Sequence, residues 1–187
     1  MDKELEAQIE QKVKEILDAE LGERISQSIK SGQVESRAAF IASKGTLDMA
    51  YIPLILASSC AALDIESAIF FTFYGLDILN KKKNRNLKVP PLANPAMPMP
   101  VPNIIGVLPG MTAMATMMMN KWMSAQNVPT IPDLLNTCIE SDVRLIACQM
   151  TMDVMGVRKE DLIDGIELGG AATFLEYASK CNITLFI

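Results

Sequence analysis

Apolar residues recur along this chain in two rhythms. From residue 1 to about residue 31 the spacing is helical. Leu5, Ile9, Val13, Ile16 and Leu17 share one face, and Leu21, Ile25 and Ile29 extend it among Glu and Lys positions. The pattern predicts an amphipathic arm over residues 1–35, with Gly22 as a bend or break and Gly32 as a stop. Its apolar stripe needs cover, from its own domain or, as the favoured alternative, from a neighbouring subunit. The arm is too short and too charged to cross a membrane.

From residue 36 onward short apolar runs alternate with helical segments. Ala38 to Ser43 reads as a first strand, Lys44-Gly45-Thr46 as a tight turn with Thr46 as helix N-cap, and Leu47 to Leu63 as a buried helix bent by Pro53. Glu66 to Phe73 is a near-continuous apolar run, as expected of a parallel strand covered on both faces. Tyr74-Gly75 turns it into a short helix at Leu76–Leu79. Pro132 or Asp133 opens a helix through Ile139. Val143 to Ala147 is a central strand, and Cys148 follows it at the turn into a Met-rich helix ending near Gly156. Val157 to Asp164 reads as polar turn or helix, Gly165 to Leu168 as a strand, Gly169-Gly170 as a sharp turn, 171–180 as a helix and Asn182 to Ile187 as the last strand. The strand–helix alternation predicts an α/β domain over residues 36–187, with five mainly parallel strands.

One segment breaks the rhythm. Val89 to Asn120 has no charged residue and holds seven prolines and seven methionines. Its first part, Pro90 to Pro102, reads as an irregular loop. Met111 to Trp122 reads as an apolar helix, and the insert as a whole runs over residues 87–123. The segment is read as a membrane insertion, a hydrophobic lid or pocket wall, or a surface buried between subunits. The last two are favoured. The uninterrupted part, Ile104 to Met119, has 16 residues and contains Pro109, short of the ~20 a spanning helix needs. Methionine-rich surfaces adapt to varied partners, and an apolar patch of this size needs cover.

Charge and composition then narrow the chemistry. The net charge is -5, and Lys81-Lys82-Lys83-Asn84-Arg85 is the only dense basic run, so nucleic acid is not an expected partner. That run reads as a solvated loop. There is no histidine, which removes His-based acid/base catalysis, His-containing triads and most catalytic zinc sites. The four cysteines, Cys60, Cys138, Cys148 and Cys181, show no CxxC or metal-ligand spacing. Neither a metal nor a cofactor is expected. Free thiols in a reducing, cytoplasmic compartment follow, with membrane association as the alternative.

Cys148 is the residue with chemical promise. It lies where a strand ends and a helix begins, the place where open α/β sheets build sites, and a helix N-terminus favours thiolate. The plain alternative is a small buried residue. Lys44, Gly45, Thr46, Phe73, Tyr74, Gly75 and Gln149 are the expected pocket residues, because the carboxyl ends of neighbouring parallel strands face one crevice. Arg144 and Lys44 are candidates for a positive charge beside the thiol. A lone exposed thiolate in an apolar pocket can accept and hand on sulfur as a persulfide without a general base.

Three stretches, Ile41-Ala42-Ser43-Lys44-Gly45-Thr46-Leu47-Asp48, Phe70-Phe71-Thr72-Phe73-Tyr74-Gly75-Leu76 and Ile146-Ala147-Cys148-Gln149-Met150-Thr151-Met152-Asp153-Val154-Met155-Gly156, together resemble the DsrE/DsrF/DrsH-like family. The resemblance spans residues 36–187 and is nearest to the branch with a hydrophobic insert after the second strand. It implies a three-layer α/β/α fold, small homo-oligomers, and a cysteine carrying persulfide sulfur between donor and acceptor proteins. By motif match that cysteine is Cys148. Some relatives carry membrane-spanning residues in the insert, which implies membrane contact through residues 89–120. The leading expectation is therefore a sulfur-relay protein, a persulfide carrier or sulfurtransferase. The alternative is a non-catalytic binding or assembly module whose insert docks a partner protein or a membrane. A third reading is a strand-end crevice holding a nucleotide-like ligand.

Overall fold

The structure, a computed structural model, describes residues 36–90 and 110–187, together with Lys12 in a helical stretch. The expected arm, apart from Lys12, and most of the Pro-rich loop lie outside the described residues. The chain divides into two compact units, Met1–Ser36 and Arg37–Ile187, and every described strand belongs to the second.

Along that second unit run β1 (Arg37–Ala42), α1 (Leu47–Ala62), β2 (Glu66–Phe71), a 3-10 turn at Phe73–Gly75, α2 (Leu76–Leu79), α3 (Met111–Ala125) and α4 (Ile131–Glu140). Then come β3 (Arg144–Cys148), α5 (Gln149–Met155), a 3-10 turn at Lys159–Asp161, β4 (Glu167–Gly169), α6 (Ala171–Ala178) and β5 (Ile183–Phe186). The five strands form one sheet in the order β4-β3-β2-β1-β5, and all four ladders are parallel. The expected α/β fold is present.

Topology decides which face each helix covers. The chain winds β1, β2, β3, β4 in one direction and then returns to place β5 beside β1. Parallel crossovers keep one hand, so this reversal puts α6 on the opposite face from the earlier helices. The packing follows. On one face Phe40, Ile69, Phe71 and Leu145 pack with Leu54 and Ala57 of α1, Leu134 and Leu135 of α4, and Leu76, Ile78 and Leu79 of α2. On the other face Ala39, Ala68, Phe70, Ile146 and Cys148 pack with Phe174 and Tyr177 of α6. The first face is the deeper core.

The element ends differ from the sequence reading where the backbone leaves its regular path. β2 stops at Phe71, two residues early. The Thr72 amide donates to the Ala42 carbonyl, and Phe73 takes a φ of 48°, which no strand continues through. β4 starts at Glu167 because Gly165, at φ 80°, still belongs to the preceding turn. α4 begins one residue before the expected Pro132, because Thr130 caps it. Thr130 and Asp133 form a reciprocal capping box, with proline in the first turn. α3 forms where the apolar Met-rich helix was expected, yet none of its residues is buried.

Leu135 is 1% exposed at the centre of the larger core. Leu135→Ala is expected to cost about 2–5 kcal/mol in urea denaturation, because a tight core leaves a cavity behind. The Asp133 carboxyl sits below the usual carboxylate range because Thr130 donates to it from hydroxyl and backbone. A lowered folded pKa stabilises at neutral pH, and that contribution fades as pH falls through it. The stability difference between wild type and Thr130→Ala should therefore shrink on acidification.

Candidate functional site at the carboxyl edge of the sheet

Parallel strands present all their carboxyl ends at one edge, and here the turns after β1, β2 and β3 are fastened together. Gly75 lies against the end of β1 so closely that a Cβ would overlap the Ala42 carbonyl oxygen. Gly45 is pressed the same way against the Tyr74 carbonyl oxygen. Neither position accepts a side chain without moving backbone. These contacts bring the Lys44, Gly45, Thr46 turn beside the Phe73, Tyr74, Gly75 turn.

The third turn is fastened by Thr151, which is 2% exposed. Its hydroxyl lies 3.1 Å from the Thr72 hydroxyl and accepts from the Phe73 amide at 3.4 Å. One buried oxygen thus joins the first turn of α5 to the strained turn after β2. Sequence reading missed Thr72 and Thr151 as site residues. Both lie inside the quoted motifs, but nothing local shows that residues 79 positions apart meet.

Cys148 ends β3 and stands at the N-cap of the seven-residue helix α5, with Gln149 exposed beside it. Its side chain is 4% exposed and belongs to the α6 face, with Phe70, Ile146, Phe174 and Tyr177. The Phe70 and Phe174 rings stack at 5.1 Å. Gly169 sits opposite Cys148 in the β3–β4 ladder, and a Cβ there would crowd Ile146 and Thr173. A glycine at this point lets α6 close down over the sheet beside the thiol. Around the same edge Phe73, Tyr74, Met150 and Val154 are exposed.

The expected residues share an edge but not a single cavity. Gly45 and Thr46 line a cleft of about 530 Å³ with Asp77, Lys82, Lys83 and Lys88. Cys148, Gln149, Phe73, Tyr74 and Gly75 do not line it. A larger cleft of about 740 Å³ lies between the starts of α1 and α4, and it also excludes Cys148. The suggested positive neighbours do not reach the thiol. Arg144 is at the opposite end of β3, four residues and about 13 Å along the strand. It pairs there with Glu167 at 2.8 Å and lies over the Tyr177 ring at 5.1 Å. Lys44 follows β1, two strands or about 10 Å across the sheet from β3.

The other three cysteines are placed differently. Cys138 is buried in α4, donates weakly to the Leu54 carbonyl, and is pushed up to about 11 by burial. Burial also raises Cys60 in α1. At Cys181, before β5, burial raises the thiol more than the Arg37 charge lowers it, and Sγ donates to the Tyr177 carbonyl. Thiolate is disfavoured at all three. All three lie away from the carboxyl edge. Among the described residues no cluster of His, Cys, Asp and Glu could hold a metal ion, and no helix is long and apolar enough to cross a membrane.

The profile of the DsrE/DsrF/DrsH-like family matches residues 34–186. The chain belongs to this family. Sulfur carrier protein DsrE2 of Allochromatium vinosum is 48% identical over 159 residues, covering 82% of this chain and 99% of that protein. The uncharacterised protein YrkE of Bacillus subtilis is 31% identical over 154 residues, covering 81% of this chain and 96% of that one. Among solved structures, the ychN protein from E. coli superposes with a TM-score of 0.47 at 11% identity, covering 81% of this chain and 99% of that one. In this DsrE-family chain the three motif stretches that suggested membership are the three turns fastened at the carboxyl edge.

Thr151→Val keeps the shape of the side chain and removes the shared hydroxyl. It is expected to cost about 1 kcal/mol. Hydrogen exchange at the Phe73 amide should quicken by more than at amides in β2. Equal change at both would mean that Thr151 stabilises the domain without holding this turn.

Proposed function

We propose that this protein is a sulfur-relay protein and that Cys148 carries the sulfur as a persulfide. The observation that carries the reading is the place of Cys148. It is the one cysteine at the fastened carboxyl edge, in a chain that is 48% identical over 159 residues to a sulfur carrier.

The chemistry needs two nucleophilic displacements and no net oxidation. The Cys148 thiolate attacks the outer sulfur of a donor persulfide. The donor S–S bond breaks, its thiolate leaves, and a Cys148 persulfide forms. An acceptor thiolate then attacks the outer sulfur, and the Cys148 thiolate leaves. Protons exchange with water at each stage, and no histidine, metal or cofactor is required. Donor and acceptor are thiol proteins in a reducing compartment, the cytoplasm. Access requires motion, because Cys148 is buried. The turn Gly169–Gly170 and the start of α6 are the cover that must lift. Phe73, Tyr74 and Gln149, with Lys44, Gly45, Thr46 and Gly75 behind them, form the rim that a donor or acceptor meets.

A second reading is favoured by α3. Met114, Met117 and Trp122 are exposed on a helix with no buried residue, and the amide of Val89, next to Lys88, donates to the Thr116 hydroxyl of that helix at 3.2 Å. An apolar helix with an interfacial tryptophan near a basic segment suits contact with an anionic membrane surface or a docking protein through residues 89–120. In that reading Cys148 is packing.

Incubation with a persulfide donor followed by intact mass separates the readings. The relay predicts one added sulfur, lost in Cys148→Ser and retained when Cys60, Cys138 and Cys181 are all replaced by serine. Undiminished loading in Cys148→Ser sinks the relay. Trp122→Glu should leave loading at Cys148 intact if the relay holds. It should weaken binding to phosphatidylglycerol-containing vesicles only if α3 is a membrane contact.

A further inference from the structure

The cleft of about 740 Å³ between the starts of α1 and α4 takes no part in the proposed relay. The end of α3 and the loop at residues 84–87 complete its walls. Its volume is ordinary for a small-molecule site. Asn84 lines it and is 6% exposed, yet its side-chain Oδ1 is buried without a hydrogen-bond partner. The loop does not need that group. Asn80 holds the turn: its side chain accepts from the Lys82 and Lys83 amides, and its carbonyl accepts from the Asn84 amide. Buried polar side chains are normally bonded, because burial strips them of water. An unsatisfied carboxamide at the wall of a cleft is a polar group set for a ligand.

The other lining groups specify the kind of ligand. Arg85, next to Asn84, lines the same cleft and forms no ion pair among the described residues. On the α4 wall Asp133 accepts from Thr130 through Oδ2 alone, so its other oxygen is free. Burial, and then the Asp133 charge, raise the Tyr51 phenol, which stays a neutral donor in the cleft. Leu47, Leu87, Met123, Val128 and Ile131 add apolar wall. One cation and one carboxylate, not paired with each other, disfavour a polyphosphate and a polycation alike. They suit a ligand that carries both charges.

We infer that this cleft binds a short zwitterionic peptide. Its carboxylate meets Arg85, whose guanidinium fork matches a carboxylate with two parallel bonds. Its ammonium group meets Asp133. A backbone amide lies against the Asn84 carboxamide, since each offers the donor and the acceptor that the other needs. Aliphatic side chains of the peptide cover the apolar walls. Cys148 does not line the cleft, so this site does not depend on the sulfur chemistry.

The test follows the full chain, isotope-labelled, by amide NMR. The Asn84 side-chain signals are identified by their loss in Asn84→Ala. The probe is the tripeptide Ala-Leu-Ala with free termini, at millimolar concentration. It is expected to shift those signals saturably. Amidating its carboxylate should weaken binding about tenfold or more, and Arg85→Gln should weaken the free peptide by a similar factor. Amidation should add little further in Arg85→Gln, because both changes remove one contact. Acetylating the amino end should weaken binding comparably. AMP is the competing ligand class. No shift at Asn84 with the free peptide, undiminished binding of either blocked peptide, or a shift with AMP where the peptide gives none overturns the inference. If Asn84→Ala fails to fold, calorimetric titration of wild type and Arg85→Gln with the free and blocked peptides decides, since Arg85 is exposed.

Discussion

The carboxyl edge of this sheet depends on two backbone approaches that only glycine permits. Gly75 lies on the Ala42 carbonyl and Gly45 on the Tyr74 carbonyl, each too close for a Cβ. These contacts lock the turns after β1 and β2 into one unit. Thr151 then ties that unit to the helix that follows Cys148. The strained Phe73, at φ 48°, persists because contacts on both sides determine its position. Loss of either glycine would free three turns, not one, and the rim around the thiol would lose its shape.

The two faces of the sheet divide the work unequally. The face under α1, α2 and α4 is a deep core with many fully buried aliphatic side chains. The face under α6 is a thinner cluster, and Cys148 belongs to it. An eight-residue helix entered through two glycines covers the thiol there. Local opening costs least where few buried contacts must break. A buried cysteine under a thin cover, beside a rigid rim, suits the proposed relay, in which a protected thiol has to be reached.

The cysteines show how burial sorts residues of one type. Cys138, in the deep core, is pushed up to about 11 by desolvation, and Cys60 and Cys181 are raised for the same reason. Each makes sense as a small apolar side chain with a weak donor. Cys148 differs by position, at the end of β3, which lies beside the central strand β2 and not at the centre as the sequence suggested, and next to the three joined turns.

Local rhythm in the sequence determined the order of strands and helices, the parallel α/β class and the strand-end place of Cys148. Apolar runs, Gly turns and the Thr130–Asp133 cap are read within a few residues, and element identity is a short-range property. The ends of β2 and β4 were not legible, because a carbonyl from another strand and a left-handed glycine set them. The face on which Cys148 points was decided by strand order, since the reversal after β4 is what puts α6 over the thiol. Arg144 looked like a neighbour of Cys148 in sequence, yet the extended strand carries it to the opposite end. The Thr72–Thr151 contact and the separate cleft at Gly45 and Thr46 arise only when distant segments meet. Side-chain pattern fixes what each segment is; close packing between segments fixes what it can touch.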